Sequence, residues 1–336
     1  MRIRHSRPKE TEGPQMTRRE LIIRGGGTIA AGLGTPFLLS RRAAASIDPV
    51  LTEAWAHVLP LAEGAWAVIS TLETGDMTTL CNGGIIAGRD RVLVVEAFAR
   101  RTGSSWVSDV ALELTGRRPT DVVLTHYHGD HTGGLTGFAR DGETIELHAT
   151  AETLSRVRSQ RAQGESPEAV ETRKLIDAAT VLGEEAPKEL DLGGRSVELH
   201  PHRGHTASDV TVEVAEHNLA FGGDLLWNRM IPNFVDARPI ELARTLERLE
   251  ARGHTTHVPG HGPMADDGIL QANILLTDAL EAAGRSSFEA GTDAATAAGQ
   301  LQLPGDMAQW KMFSDNYIER ALSAWHRDLA AMDDEG

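Results

Sequence analysis

The sequence predicts a mixed α/β fold, with strands and helices in both halves of the chain and a helical extension at the C-terminal end. Short apolar runs bounded by glycine or polar turn residues recur between residues 65 and 261, which is typical of buried strands. Segments with apolar residues at helical spacing lie between these runs and again after residue 276. The chain has 336 residues, of which 40% are hydrophobic, so it can bury a substantial core.

The first half of the chain alternates predicted strands with predicted helices. In order, we expect a strand at 65–70, a hairpin within 81–97, a helix at 104–114, strands at 121–124 and 145–149, and a helix at 151–163. The hairpin is expected to turn at Gly88-Arg89-Asp90, and Ser104 or Ser105 is expected to cap the first helix.

The second half repeats this pattern and then becomes helical. We expect two or three strands within 187–214, an amphipathic helix over 239–251 that begins with a proline, and a last strand at 254–259. Six residues beyond this point recur at helical spacing: Trp310, Phe313, Tyr317, Ile318, Ala321 and Trp325. We expect this helix to pack its aromatic stripe on the domain, with a dimer contact or a lid as the alternatives.

The segment from Thr125 to His131 is the strongest candidate for a functional site. It contains three imidazoles and a carboxylate directly after the apolar run Val122-Val123-Leu124. His126 and His128 are two positions apart, so they leave an extended strand end on the same side. Imidazole nitrogen and carboxylate oxygen are the ligands that zinc or iron takes from proteins, so the segment predicts a metal site.

This H-x-H-x-D-H pattern resembles the signature of the metallo-β-lactamase superfamily, and three later motifs agree with the resemblance in the expected order. They are Gly204-His205-Thr206, Gly222-Gly223-Asp224 and Pro259-Gly260-His261-Gly262. The resemblance covers roughly residues 55 to 275. It implies an αββα metallo-β-lactamase sandwich, with metals at one edge of two facing sheets.

The resemblance also implies a ligand set for two Zn²⁺ ions. One metal would be held by His126, His128 and His205, the other by Asp130, His131 and His261, with Asp224 between the two. Each metal would keep a position open for water, which is typical of catalytic sites. Fe or Mn stays an alternative, because ligand type alone does not fix the metal.

The implied activity is hydrolysis of a small molecule with a carbonyl group, which would be an ester, thioester, lactone or amide. A metal-bound hydroxide would attack the carbonyl carbon, and Asp130 would act as the catalytic residue that orients it. The alternatives are β-lactam hydrolysis, iron-dependent persulfide dioxygenase activity and a non-catalytic metal-binding role. The superfamily branch that uses a cysteine ligand is disfavoured, because the bridging position holds Asp224. Cys81 is expected to be a small buried apolar residue with no metal ligand nearby.

The stretch after Asp224 resembles a particular exported branch of the superfamily, the SoxH-like or quinoprotein-relay zinc metallohydrolases. Residues 227–234 and the C-terminal segment 316–321 carry this similarity. Trp227, Met230 and Asn233 are therefore candidate substrate-binding residues, and we expect exposed Trp, Met and Phe side chains to form an apolar pocket wall.

Three further histidines lie on predicted strands. His200 and His202 precede His205, and His148 lies on the strand that follows the metal-binding segment. Each either supports a ligand or is an ordinary strand residue, and the sequence leaves both interpretations open.

The N-terminal segment 1–45 is predicted to be a twin-arginine (Tat) signal peptide. Arg18-Arg19 follows a basic stretch, a glycine-rich apolar segment comes next, and Ala43-Ala44-Ala45 offers a cleavage site. A single membrane anchor is the alternative, but the apolar segment is short for a bilayer. We therefore expect the Tat translocase as a partner during export, a periplasmic location and no stable anchor after cleavage. The remaining domains are predicted at 50–275 and 276–336.

Charge argues against nucleic acid as a partner. Residues 1–45 hold nine of the Lys and Arg residues and three of the acidic ones, so 24 basic and 45 acidic residues remain, a net charge of −21. Such a surface repels nucleic acid and anionic lipid. Only 36 residues separate Asp224 from His261, so the insert expected of a nuclease of this superfamily is also missing.

Overall fold

A computed structural model describes residues 47–71, 75–139, 144–264 and 268–335. The predicted signal segment, 1–45, lies outside these described residues. Within the described ranges, no helix combines the length and apolar character needed to cross a membrane.

The first sheet contains eight strands whose spatial order follows their order in the chain. These are β1 (Leu51–Thr52), β2 (Ala56–Ala62), β3 (Ala65–Ser70), β4 (Gly83–Ala87), β5 (Val92–Val95), β6 (Asp121–Val123), β7 (Glu146–Thr150) and β8 (Thr180–Leu182). Neighbours from β1 to β5 pair antiparallel, and neighbours from β5 to β8 pair parallel. Parallel neighbours need a crossover connection, and helices supply it here.

The second sheet has five strands in the order β13-β12-β11-β10-β9. They are β9 (Lys188–Asp191), β10 (Ser196–His202), β11 (Asp209–Val214), β12 (Leu219–Trp227) and β13 (Thr256–His261). Pairing is antiparallel except between β12 and β13, which run parallel and are connected through a helix.

The helices follow the strands in both halves. They are α1 (Arg101–Thr115), α2 (Gly129–Thr132), α3 (Ala151–Arg161), α4 (Pro167–Asp177), α5 (Pro239–Arg252), α6 (Ile269–Glu289), α7 (Ala294–Gln300) and α8 (Tyr317–Glu335). Helix α6 runs without a break across residues 275 and 276, where the sequence predicts a domain boundary.

Alternation along the strands sorts the apolar side chains into layers. In β5, Val92 and Val94 pack with helices α1, α3 and α4, whereas Leu93 and Val95 pack between the two sheets. A third apolar cluster joins the end of β12 to helices α5, α6 and α8. Because successive strand side chains point to opposite faces, each sheet buries both faces, and the αββα arrangement predicted from the sequence is confirmed.

Two sequence predictions about helices are wrong in detail. Helix α1 begins at Arg101, and Ser104 lies buried inside it, where its hydroxyl donates to Ala97 O at 2.5 Å instead of capping the first turn. The C-terminal helix begins at Tyr317, so Trp310 and Phe313 precede it in irregular chain, where a backbone bridge between Met230 and Lys311 holds the segment.

Candidate metal centre

All seven predicted ligands come together where strands of the two sheets end. His126 and His128 follow β6, and Asp130 and His131 lie in the short helix α2. His205 lies in the connection between β10 and β11, Asp224 lies within β12, and His261 is the last residue of β13. They come from four separate stretches of the chain, so only the folded chain brings them together.

The first group of ligand atoms surrounds one oxygen of Asp224. His205 Nε2 lies 3.1 Å from His128 Nδ1 and 3.3 Å from Asp224 Oδ2. His126 Nε2 lies 3.8 Å from the same Asp224 oxygen. Four ligands at zinc distance from a tetrahedral centre would be about 3.3 Å apart, so these atoms have the spacing of a metal site.

The second group surrounds the other oxygen of Asp224. His131 Nε2 lies 3.2 Å and His261 Nε2 3.5 Å from Asp224 Oδ1. Asp130 Oδ2 lies 3.1 Å from His261 Nε2 and 3.6 Å from His131 Nε2. The two groups therefore share Asp224, which offers one carboxylate oxygen to each.

Glycine at two positions permits this convergence. Gly223 has φ +51°, in the left-handed region, and lies against the side chain of Thr125. A Cβ on Gly260 would collide with Asp224 and with the backbone of Gly223. The Gly-Gly-Asp and Pro-Gly-His motifs thus allow β12 and β13 to place Asp224 and His261 side by side.

Neighbouring polar side chains orient the ligand imidazoles. Glu96, buried at 1% exposure, lies with Oε1 2.9 Å from His131 Nδ1 and also accepts the Thr125 hydroxyl proton at 2.5 Å. Asp236 Oδ2 lies 3.0 Å from His128 Nε2. Such partners fix which ring nitrogen faces the metal.

Neither Glu96 nor Asp236 is among the site residues predicted from the sequence. The sequence signal for Glu96 is a carboxylate directly after the apolar strand β5. In the structure, the backbone of Glu96 takes φ +81°. A non-glycine residue in that region marks a conformation that the surrounding structure imposes.

Two other side chains hold the loops that carry ligands. Asn82 Nδ2 donates to Pro259 O at 3.0 Å and to Gly262 O at 2.8 Å, which fixes the turn around His261. Asp209 accepts from the Thr206 amide and hydroxyl, which fixes the turn around His205. Burial raises the pKa of Asp209 to about 7, although the bonds from Thr206 act to lower it.

Two imidazoles of the first group, those of His126 and His205, favour the neutral, metal-binding form. Burial lowers the pKa of His126 well below its ordinary value and that of His205 to about 3. His126 Nε2 is buried and makes no hydrogen bond among the described residues. A buried nitrogen without a partner is costly, and a cation at the centre of this group would satisfy it.

The second group attracts positive charge. Burial would lower the pKa of His261, but Asp224 and Asp130 raise it to about 9. Burial would raise the pKa of Asp130, but His131 and His261 lower it well below its ordinary value. In both groups the residues therefore fit divalent cations, which would replace these protons as the positive charge.

Cys81 lies closer to the site than the sequence suggested. It is fully buried, as expected, but it adjoins His131, so the expectation that no ligand lies nearby is wrong. Burial raises the pKa of its thiol to about 12, although His131 acts to lower it. The thiol therefore stays protonated at neutral pH, in which form it is a poor ligand.

The candidate substrate-binding residues are less exposed than expected. Trp227, Met230 and Phe234 are 2%, 5% and 2% exposed, because β12 and the following loop pack under the C-terminal helices. Trp227 nevertheless borders the ligands, with its ring 4.2 Å from that of His261. Asn233 Oδ1 accepts a hydrogen bond from Arg320 at 3.1 Å.

Comparison with known proteins agrees with this geometry. The family model described as "Metallo-beta-lactamase superfamily" matches residues 78–265, more than half of the chain. A "Metallo-beta-lactamase type 2" of Bacillus sp. (strain 170) is 29% identical over 202 residues, which cover 56% of this chain and 72% of that relative. A "Hydroxyacylglutathione hydrolase" of Parasynechococcus marenigrum (strain WH8102) is 23% identical over 241 residues, which cover 70% of this chain and 85% of that relative.

A solved structure supports the same fold. The metallo-beta-lactamase from Pontibacter korlensis superposes with a TM-score of 0.53 at 18% identity, covering 66% of this chain and 99% of that one. The SoxH-like branch stays a prediction. Since the family model, the two-sheet fold and the ligand motifs agree, the chain belongs to the metallo-β-lactamase superfamily, whose members are metal-dependent hydrolases.

Proposed function

We propose that this protein is a di-zinc hydrolase that cleaves an ester, thioester, lactone or amide of a small molecule. The observation that carries the proposal is that Asp224 faces both ligand groups. Its Oδ2 lies in the group of three histidines, and its Oδ1 lies in the second group. Members of the superfamily typically depend on two metal ions. A shared carboxylate between two complete groups also speaks against a persulfide dioxygenase with a single iron.

The proposed metal ligands are the seven predicted residues, and their side chains differ in access to solvent. Asp130 keeps 24% and His128 18% of the side chain exposed, whereas Asp224, His131 and His261 keep 3% or less. The open side of the centre is therefore at Asp130 and His128. Bound metals supply an activated water and polarise the substrate carbonyl, which is the chemistry of two-metal hydrolases.

Asp130 is the proposed catalytic residue among the ligands. Its carboxylate is ionised, because His131 and His261 keep its pKa low, and it lies at the open side of the group. A carboxylate there can accept a hydrogen bond from the attacking water and hold it towards the substrate. No serine or cysteine nucleophile is required for this chemistry.

Zinc is the proposed metal, because five of the seven ligands are imidazoles and Asp224 has the carboxylate geometry of a shared ligand. The twin-arginine pattern in residues 1–45 supports export to the periplasm by the Tat translocase. The net charge near −21 that remains after removal of that segment makes a nucleic-acid substrate unfavourable.

Two substrate classes have specific support. The relative named hydroxyacylglutathione hydrolase favours thioesters, and its alignment covers 70% of this chain. The relatives named metallo-beta-lactamase favour β-lactams as the second candidate. Asp224 as an oxygen bridge favours the first class, because the site then lacks a thiolate ligand.

The proposal is tested by hydrolysis of a panel of thioesters, esters, lactones and β-lactams by the purified protein. Chelation should abolish activity and added Zn²⁺ should restore it. Asp130→Asn should lower kcat on the preferred substrate by roughly a hundredfold or more. Asp109→Asn, on the exposed face of α1, is the matched control and should leave kcat unchanged. Metal-loaded protein that hydrolyses none of the panel would instead favour a non-catalytic metal-binding role.

A further inference from the structure

An exposed aromatic side chain from outside the matched family region lies directly against the ligand cluster. The ring centroid of Phe313 lies 5.5 Å from that of His261 and 6.0 Å from that of Trp227, and both pairs are edge to face. The family model ends at residue 265, so Phe313 belongs to the C-terminal extension. The wall of the site thus includes a residue from outside the part of the chain that the family model matches.

Backbone contacts fix the position of this side chain. Lys311 donates its amide proton to Arg229 O at 3.1 Å, and Ile231 donates to Lys311 O at 2.9 Å. Farther along, Arg320 donates to Asn233 Oδ1 at 3.1 Å. The loop that follows Asp224 and the segment that carries Phe313 are thus held together, which keeps the ring beside His261.

The exposure of Phe313 is unusual for its surroundings. Trp227 beneath it is 2% exposed, whereas Phe313 is 43% exposed and its neighbour Met312 39%. A single exposed apolar residue is ordinary on a protein surface. The exposed Phe313 ring, however, lies against the imidazole of His261. An apolar group bound at the metal centre would therefore cover the exposed part of that ring.

Tyr317 ties the same extension to the strand that carries Asp224. It is 6% exposed and packs in the apolar cluster that contains Leu225 and Leu226 of β12. The first turn of α8 is therefore packed against the end of β12, next to the segment that carries Phe313.

We infer that Phe313 is a specificity-determining residue, and that it selects substrates with an alkyl or aryl group next to the scissile carbonyl, on the His261 side of the centre. This inference rests on the proposed function. Trp227 forms the buried base of the same wall, and Phe313 provides the surface that the substrate covers.

Thiol probes test this without requiring turnover. Phenylmethanethiol and 2-mercaptoethanol both offer sulfur to a metal, but only the first carries an aromatic ring. Dissociation constants of both are measured on the Co²⁺-loaded full chain, from the absorption that sulfur ligation produces. The ratio of the two constants cancels the contribution of sulfur and isolates the contact of the aromatic ring.

Phe313→Ala should reduce the preference for phenylmethanethiol roughly five- to tenfold, the effect of losing one aromatic contact. Phe313→Leu should keep part of the preference. Met332→Ala is the matched control, because Met332 is an exposed apolar residue (52%) at the far end of α8, and it should leave the ratio unchanged. Metal content should be equal in all variants, since none of these residues is a ligand.

The possible failures are distinguishable. An unchanged ratio in metal-loaded Phe313→Ala overturns the inference about Phe313 and leaves the hydrolase proposal intact. An equal fall in the preference for phenylmethanethiol in Met332→Ala also overturns the inference about Phe313, because the effect would then not depend on the site. Wild-type chain that binds no metal overturns the hydrolase proposal and this inference together.

Discussion

Two clusters of histidines and carboxylates involve residues of the second sheet, and they differ in what neutralises their acidic groups. The ligand cluster, defined by the seven predicted ligands, lies at the strand ends. The outer cluster, formed by Glu198, His200, Glu213, Arg252 and His254, lies beneath helix α5. Glu198, His200 and Glu213 also have the spacing of three metal ligands, so spacing alone does not separate the two clusters.

Arginine supplies the cation in the outer cluster. Arg252 Nε donates to Glu213 at 2.5 Å, and its Nη2 lies 3.1 Å from Glu198 and 2.9 Å from His200. A third group with ligand spacing, Asp121, Glu146 and His148, has the same feature, because Arg91 pairs with both of its carboxylates.

The ligand cluster contains no such guanidinium among the ion pairs of the described residues. Its carboxylates face imidazoles only, and His126 Nε2 has no hydrogen-bond partner there. Buried carboxylates need a compensating positive charge. Arginine thus neutralises the carboxylates of the other two clusters, whereas among the described residues the carboxylates of the ligand cluster face imidazoles and fit a cation.

The largest expected difference between the two clusters appears when one imidazole is removed from each of them. His126→Ala should lower kcat/KM on the preferred substrate by on the order of a thousandfold, because the metals supply several kcal/mol of transition-state stabilisation. His200→Ala should leave kcat/KM within about threefold, since Arg252 remains to neutralise Glu213. Equal losses in the two variants would end the distinction between the clusters.

The next largest effects, on zinc affinity, are expected for the side chains that contact ligand imidazoles. Glu96→Gln weakens the contact that orients His131, so zinc affinity should fall roughly ten- to a hundredfold. Asp236→Asn should lower zinc affinity by less than about tenfold, because the Asp236 side chain is 43% exposed and water can take its place. Chelator competition measures both constants, and an effect of Asp236→Asn larger than that of Glu96→Gln would contradict the proposed order.

The outer cluster should affect stability instead of metal binding. Arg252→Met leaves the buried carboxylate of Glu213 with fewer partners, so the free energy of unfolding should fall by about 2 kcal/mol. Arg89→Met removes an exposed pair with Asp90, which solvent screens, and should leave the free energy of unfolding unchanged within error. Urea denaturation gives both values, and metal content should be unchanged in each variant.

The smallest effect is a pH dependence of that stability. Burial would raise the pKa of Glu213, but His254, His200 and Arg252 lower it from 4.5 to about 2. A carboxyl whose folded pKa is depressed stabilises the fold fully above pH 4.5 and loses this contribution as the pH falls towards 2.

Unfolding of the wild type and of Glu213→Gln, measured from pH 6 down to pH 2, tests this. The wild type should be more stable by about 1 kcal/mol or more at pH 6, and the difference should shrink towards zero at pH 2. A difference that grows on acidification would contradict the assigned ion pairs.

Sequence patterns predicted the sheets well because the side chains alternate so regularly. Strand β3 has the predicted bounds, 65–70, and the hairpin of β4 and β5 is confirmed. Strand β2 and helix α4 were missed. Pro60 interrupts the pattern of β2, and the serine and proline that begin α4 lie in a polar stretch with few apolar residues.

Parts of the site depend on contacts that no local pattern contains. The seven ligands lie in recognisable motifs, so their positions were predictable, and the structure brings them together. Glu96 and Asn82 act on ligands 35 or more positions away in the chain, and Phe313 reaches His261 from a separate segment. The arginines in the other two clusters are equally non-local, which is why the sequence could not exclude a role for His148 and His200.

Metal stoichiometry tests the central distinction most directly. The full chain, His126→Ala and His200→Ala are purified side by side, and metal per chain is measured by mass spectrometry. We expect two zinc ions per chain in the wild type and in His200→Ala, and fewer in His126→Ala. Loss of metal in His200→Ala, with none in His126→Ala, would contradict the assignment of the metal to the cluster that has no arginine.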